Sequence, residues 1–172
     1  LQLLKAADIP FLFVVRDVLF TLLSQWTGLS GHIIRSTDLD HDTDKRLHTP
    51  LMSLPMIFKT DNHTIPSSVP YLKTTQPIPG RLKITQPAGG LSVGLVWASN
   101  PDNKAMYRNK SIPLNLLMPC IVPALQLSLI HLHCLQFGVD RDQLNPWRQM
   151  AGITDWQSDL NDFSDTAHLL KQ

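Results

Sequence analysis

The apolar positions of this chain fall into short runs separated by helical stretches, and that alternation sets the first expectation of its architecture. Phe11 to Val15 (FLFVV) follows Pro10 and reads as a buried strand. Arg16 to Trp26 then carries Val18, Leu19, Leu22, Leu23 and Trp26 at helical spacing, with Gly28 as its stop. His32 to Arg35 (HIIR) is a second short strand. Strand, helix, strand in this order predicts a parallel βαβ layer, because parallel neighbours need a crossover.

The pattern lapses after that. Thr37 to Arg46 (TDLDHDTDKR) is a polar loop, and Ser53 with Pro55 starts a short helix in Leu47 to Phe58. Pro66, Pro70, Pro77, Pro79 and Pro87 crowd the stretch from Thr60 to Gly90. Proline fixes φ and lacks the N–H that a ladder needs, so this stretch is expected to be extended and irregular. A structureless segment of that length reads as a connection between domains. The expected division is residues 1–80, a partial first domain with its bridge, and 88–172, the first part of a second.

Leu91 to Ala98 (LSVGLVWA) opens the second domain as its strongest strand, followed by a loop from Ser99 to Lys110. Pro113 starts a helix running to about Leu127, with Pro119 and Pro123 as expected break points. Leu129 to Leu135 (LIHLHCL) is the next strand, and a short helix is expected near Gln143 to Met150. Asp162 to Leu170 reads as a helix capped by Asp162 or Ser164. The fold class is α/β in two pieces. In such folds ligands sit at the carboxyl ends of the strands. The loop after the Leu91 strand is therefore the first place for a site.

Composition narrows the classes. Hydrophobic residues make up 43% and charged residues 17% of the 172, as in globular proteins and unlike disordered ones. The formal charge of +1 gives no reason to expect a nucleic acid or an acidic membrane as partner. Cys120 and Cys134 are the only cysteines and form no disulfide framework. No run reaches the roughly 20 apolar residues of a membrane span, and the apolar stretch at Ile9 to Leu23 lacks the flanks of a signal peptide. A cytoplasmic location is the expectation. Leu1 at the start and a helical pattern running into Gln172 read as the cut ends of a fragment.

Two segments carry a family resemblance. Val93 to Pro101 (VGLVWASNP) and Tyr107 to Leu114 (YRNKSIPL) resemble a signature in the glycosyltransferase-like module of bacterial tetratricopeptide-repeat proteins. That module is similar to heptosyltransferases and, more distantly, to O-linked N-acetylglucosamine transferases. Leu135-Gln136, Asp162 to Ala167 (DFSDTA), Pro50 to Pro55 (PLMSLP) and Ile65 to Leu72 (IPSSVPYL) extend the likeness. It covers residues 45 to 170 well and the first 45 loosely. The family usually has glycine where Ser99 stands, and many members have arginine where Lys110 stands. A lysine keeps the charge but loses bidentate recognition.

The resemblance implies a GT-B glycosyltransferase of hexosyl- or heptosyltransferase type, with the two Rossmann-like domains each present in part. It implies a UDP- or ADP-linked sugar as donor, a protein or saccharide as acceptor, no metal cofactor, and tetratricopeptide repeats upstream. The alternative is a non-catalytic interaction module that keeps the fold.

A glycosyl transfer must stabilise charge developing on a diphosphate leaving group. Lys110 is the first candidate, because it precedes Ser111 and the helix-starting Pro113, and a helix N-terminus beside a cation attracts anions. Ser111 is read as N-cap, phosphate donor or both. Asn100 is a phosphate or sugar contact or a turn residue. Gln136 is a contact to base or ribose or a plain strand-end residue. Lys104 and Arg108 add positive potential or form a solvated face, and Asp165 and Thr166 are caps or ligands. No residue presents itself as general base.

Other strings are set aside. Gly90-Leu-Ser-Val-Gly94 fits the letter of a nucleophile elbow, but its glycines precede a strand. His131 and His133 share one strand face with Cys134 opposite, without the third ligand that zinc requires. Asp38, Asp40, Asp42 and Asp44 alternate as a solvated loop would.

Overall fold

The structure is a computed structural model and describes residues 1–26, 29, 31–39, 47–67, 69–85 and 89–172. It is a mixed α/β chain with two small parallel sheets. Two compact units emerge: Leu1–Pro77 with Asp162–Ala167, and Ile78–Asn161 with His168–Gln172. The division thus falls at Pro77 and Ile78, and 162–167 joins the first unit, where the sequence placed it in the second.

In the first unit, α1 (Gln2–Ala6) precedes β1 (Phe13–Val15), α2 (Asp17–Ser24) and β2 (Ile33–Arg35). β1 and β2 pair in parallel with Phe13 opposite Ile33, as the βαβ reading requires. Among its described residues Val15, Leu22 and Leu29 are the buried apolar ones. Arg35 lies over the ring of Phe20 at 4.0 Å, a cation–π contact. The short helix α3 (Leu54–Ile57) has proline in its first turn, where no N–H is needed. Between Thr60 and Gly90 the described residues contain no strand and one 3-10 turn, Gly80–Leu82. Gly28, Asp40, Asp42 and Asp44 lie outside the described residues.

The second unit is built on β3 (Leu91–Leu95), β4 (Ile130–Cys134) and β5 (Ile153–Asp155), all parallel, with β4 in the centre. Gly90, at φ +87°, turns the chain into β3, and a Cβ there would stand 2.9 Å from the Ser128 carbonyl oxygen. Two helices follow β3. The first, α4 (Lys104–Lys110), replaces the expected loop: Asn103 caps it by accepting from Met106 N at 3.1 Å. The second, α5 (Leu114–Gln126), runs unbroken through Pro119 and Pro123, which corrects the expected breaks. The reason is facial. Leu114, Met118 and Leu125 are buried, with Ile121 and Val122 half-buried between them, whereas Pro119 and Pro123 are exposed. The carbonyls deprived of a donor therefore face water, which satisfies them.

The core packs α5 against one sheet face: Trp97, Leu114, Met118, Leu125, Leu132, Cys134 and Leu144. Leu144 comes from the 3-10 stretch Val139–Trp147, which takes the place of the helix expected at Gln143 to Met150. The other face carries a smaller cluster of Leu82, Leu135, Trp156, Leu160 and Leu169. Leu169 belongs to α6 (Phe163–Leu170), whose cap is Asp162, accepting from Ser164 N at 2.8 Å and Asp165 N at 3.2 Å. Among the described residues no helix is long and apolar enough to cross a membrane.

Candidate functional site

The candidate site is the carboxyl edge of the three-stranded sheet. β3 and β4 leave it stitched together by one side chain. The Oε1 of Gln136 accepts from Trp97 N at 3.0 Å and Ala98 N at 2.9 Å. Its Nε2 donates to the Ala98 carbonyl at 3.1 Å and the Phe137 carbonyl at 2.8 Å. Both oxygen lone pairs and both N–H groups are used, and Gln136 is buried. The amide substitutes for ladder bonds where the strands have ended.

The segment after α4 returns to the same exit. Ile112 N donates to the Trp97 carbonyl at 2.9 Å, and Ser99 N donates to Ser111 Oγ at 3.0 Å. Ser111 is the C-cap of α4, while the N-cap of α5 is Pro113, without a side-chain bond. Ser111 is therefore not the helix-opening cap that its position suggested; it clamps the turn after β3. Lys110 ends α4, and Arg108 shares that last turn. Cations there complement the free carbonyls of the helix end. Lys104, Arg108 and Lys110 are all exposed. Asn100 accepts from Asp102 N at 3.0 Å and so forms the turn before α4.

The N-terminus of α5, read from sequence as an anion site, is already engaged. Leu114 N donates to Gln143 Oε1 at 2.8 Å. Gln143 Nε2 in turn donates to Asp140 Oδ1 at 2.7 Å, and the Tyr107 hydroxyl donates to the same oxygen at 2.6 Å. Trp97 Nε1 donates to the Asp140 carbonyl at 3.2 Å. The buried Asp140 thus links β3, α4 and α5. The bond to its carboxylate, with burial and its charge, pushes the Tyr107 phenol up from its ordinary value. A carboxylate one glutamine away from the helix entrance disfavours an anion there.

The exit of β5 carries a third group. Arg141 holds Asp155 through Nη2 at 2.8 Å and Nε at 3.0 Å to Oδ2, and Arg148 approaches the same oxygen at 3.5 Å. Gln157 N donates to Asp155 Oδ1 at 3.2 Å. The Arg148 side chain remains 37% exposed, while its Nε is buried and without a hydrogen-bond partner among the described residues. Behind this group, burial and then the Asp155 charge push the Cys134 thiol up to about 12, which keeps it a thiol at neutral pH.

Asp140, Arg141, Arg148 and Asp155 are the residues that sequence reasoning missed. They are scattered through a polar stretch with no spacing signal. Asp165 and Thr166 open α6 and fall in the first unit; Asp165 is buried and its N–H is part of the Asp162 cap. Among the described residues no group of three or more His, Cys, Asp or Glu side chains is placed to hold a metal ion. No protein-family model, curated protein or solved structure matches this chain.

Proposed function

We propose that this chain is part of a nucleotide-sugar-dependent glycosyltransferase of the GT-B type, with the β3–β5 unit belonging to the donor-binding half. One observation carries the reading. The two segments with the family resemblance, 93–101 and 107–114, are knitted to the exits of β3 and β4 by Ser111, Ile112 and Gln136. They therefore meet at the edge where α/β folds take their ligands.

In this reading the diphosphate is met by side-chain cations. Pro113 has no N–H and Leu114 N is engaged by Gln143, so α5 offers few free backbone donors. Lys110 supplies a mobile point charge at the β3 exit, with Arg108 and Lys104 adding potential along α4. Arg148, with a partly exposed side chain, adds a cation at the β5 exit. The donor is a UDP- or ADP-linked sugar and the acceptor a protein or saccharide.

The test is titration calorimetry with UDP, ADP and their sugars, on this chain and on a longer protein containing it. Binding that weakens about tenfold in Lys110→Ala, roughly one lost charge contact, supports the reading. A longer protein that neither binds a nucleotide nor transfers sugar would overturn it.

The Asp140–Gln143 occupation of the α5 entrance favours a second reading, a non-catalytic interaction module that retains the fold. Nucleotide affinity that appears only after Asp140→Asn would point to that loss of function.

A further inference from the structure

Among the described residues β3 pairs with a strand on one side only, so the second sheet has an open edge there. Leu91 N donates to the Leu129 carbonyl and Leu135 N to the Leu95 carbonyl, so the odd-numbered residues of β3 turn their backbone groups to β4. In a parallel ladder the alternate residues turn theirs the other way. On β3 these include Gly94, with Val96 next in line, and both are exposed. Leu91 and Val96 are 72% and 60% exposed. Parallel sheets are ordinarily covered, and an apolar open edge is a template for another strand.

β5 has an open edge as well, and the crossovers decide between the two. β3 reaches β4 through α5, and β4 reaches β5 through the 3-10 stretch Val139–Trp147. α5 and Leu144 of that stretch pack on the same sheet face. Both crossovers step the same way across the sheet, from β3 towards β5. α6 leaves β5 on the opposite face, where its Leu169 packs with Leu82, Leu135 and Trp156. The hand of a parallel crossover reverses when either its face or its direction changes, and is kept when both change. About 98% of such crossovers share one hand. With the face exchanged, the step after α6 therefore runs backwards, past β4 to the free side of β3. A strand added beside β5 would need a crossover of the opposite hand.

The end of α6 suits that step. Gln172 Nε2 donates to the Leu82 carbonyl at 2.8 Å, and its Oε1 accepts from Ile84 N at 3.0 Å. Ile84 in turn lines a cavity with His131 and Ile153, near the amino ends of β4 and β5. α6 thus hands the chain to the amino edge of the sheet, where a strand parallel to β3 has to begin.

We propose that the open edge of β3 takes a fourth parallel strand, supplied by the polypeptide into which α6 leads. β3 then lies inside the sheet, and the crevice opens between β3 and the added strand, because the crossovers on its two sides run over opposite faces. The strand stands without the glycosyltransferase reading; that its crevice holds the sugar donor, walled on one side by the chain leaving β3, rests on it.

The experiment is amide hydrogen exchange followed by NMR, on this chain and on the longer protein that continues past Gln172. In this chain alone the Gly94 and Val96 amides should exchange at least tenfold faster than those of Val93 and Leu95, which face β4. In the longer protein both should slow at least a hundredfold, while Asp155, on the free side of β5, does not. Val96→Pro removes one outward donor and spares the β4 ladder, so in the longer protein it should restore fast exchange at Gly94 and leave Val93 unchanged. A coding sequence that stops at Gln172 would overturn the proposal, as would protection gained at Asp155 in place of Val96, or at neither edge. So would protection of Val96 in this chain alone that rises with its concentration, since a second copy then occupies the edge. Should Val96→Pro fail to fold, the two unmutated proteins still decide. A fourth strand on β3 in a longer protein that binds no nucleotide keeps this inference and sinks the glycosyltransferase reading; nucleotide binding with the strand on β5 does the reverse.

Discussion

The two parallel sheets are written in the same kind of sequence, yet only one becomes a core. β1 and β2 are apolar, but Val15 is their only buried residue; Val14 is 41% exposed and all of β2 is half-buried. In the second sheet Leu132 and Cys134 are sealed at 1%. The difference is the cover. α2 buries Leu22 alone, whereas α5 lays Leu114, Met118 and Leu125 on its sheet and Trp97 and Leu144 close the sides. Strand composition proposes a parallel sheet; the crossover decides whether it is dry.

The strongest way to break this contrast is to hollow the second sheet. Leu132→Ala should cost about 2 to 5 kcal/mol, through lost burial and the cavity left behind. Urea unfolding followed by the fluorescence of Trp97, Trp147 and Trp156 reports it, since these lie in the second unit. A loss under about 1 kcal/mol would mean that α5 does not seal the sheet as described. Next comes Gln136→Leu, which keeps the bulk and removes four hydrogen bonds. It should cost about 2 to 3 kcal/mol, because buried backbone groups are left unpaired, and amide exchange at Trp97 and Ala98 should quicken.

A smaller effect is expected from acid. The native His133 ring is less basic than its ordinary value of 6.5. The unfolded chain therefore binds more protons between the two values. Stability from this group is complete above 6.5 and declines as the pH falls from there towards the native value. His133→Phe should remove that part of the pH dependence in thermal melts. The smallest change should come from the first sheet, where Val14→Thr is expected to stay within about 0.5 kcal/mol.

Much of this architecture was legible in the chain. β1 to β4, α2, α5 and α6 all announce themselves through runs or helical spacing of apolar residues. What escaped was either short or polar. β5 is the tripeptide Ile153–Asp155, too brief for alternation to register. α4 (KAMYRNK) has few apolar positions and reads as a charged loop until its Asn103 cap is seen. The prolines of α5 misled because their cost depends on whether the freed carbonyls meet water, a property of the fold. The site was less legible for a related reason. Gln136 is saturated because β3 and β4 end beside it, and Asp140 gains importance from Tyr107 and Gln143, residues that no motif joins. His133 alternates on its strand visibly enough, but the Trp156 indole that donates to its Nδ1 comes from beyond β5.

The two prolines on the wet side of α5 bear on how this domain assembles. With two amides missing from the ladder and three β-branched residues or prolines among its last turns (Ile121, Val122, Pro123), a detached peptide of this stretch should be a statistical coil. It becomes helical only by lying down on Leu132 and Cys134, so neither partner can serve as a template finished in advance. Collapse of the strands and winding of their cover are then a single event, and a nascent chain that has emerged only as far as Leu127 has nothing yet to wind against.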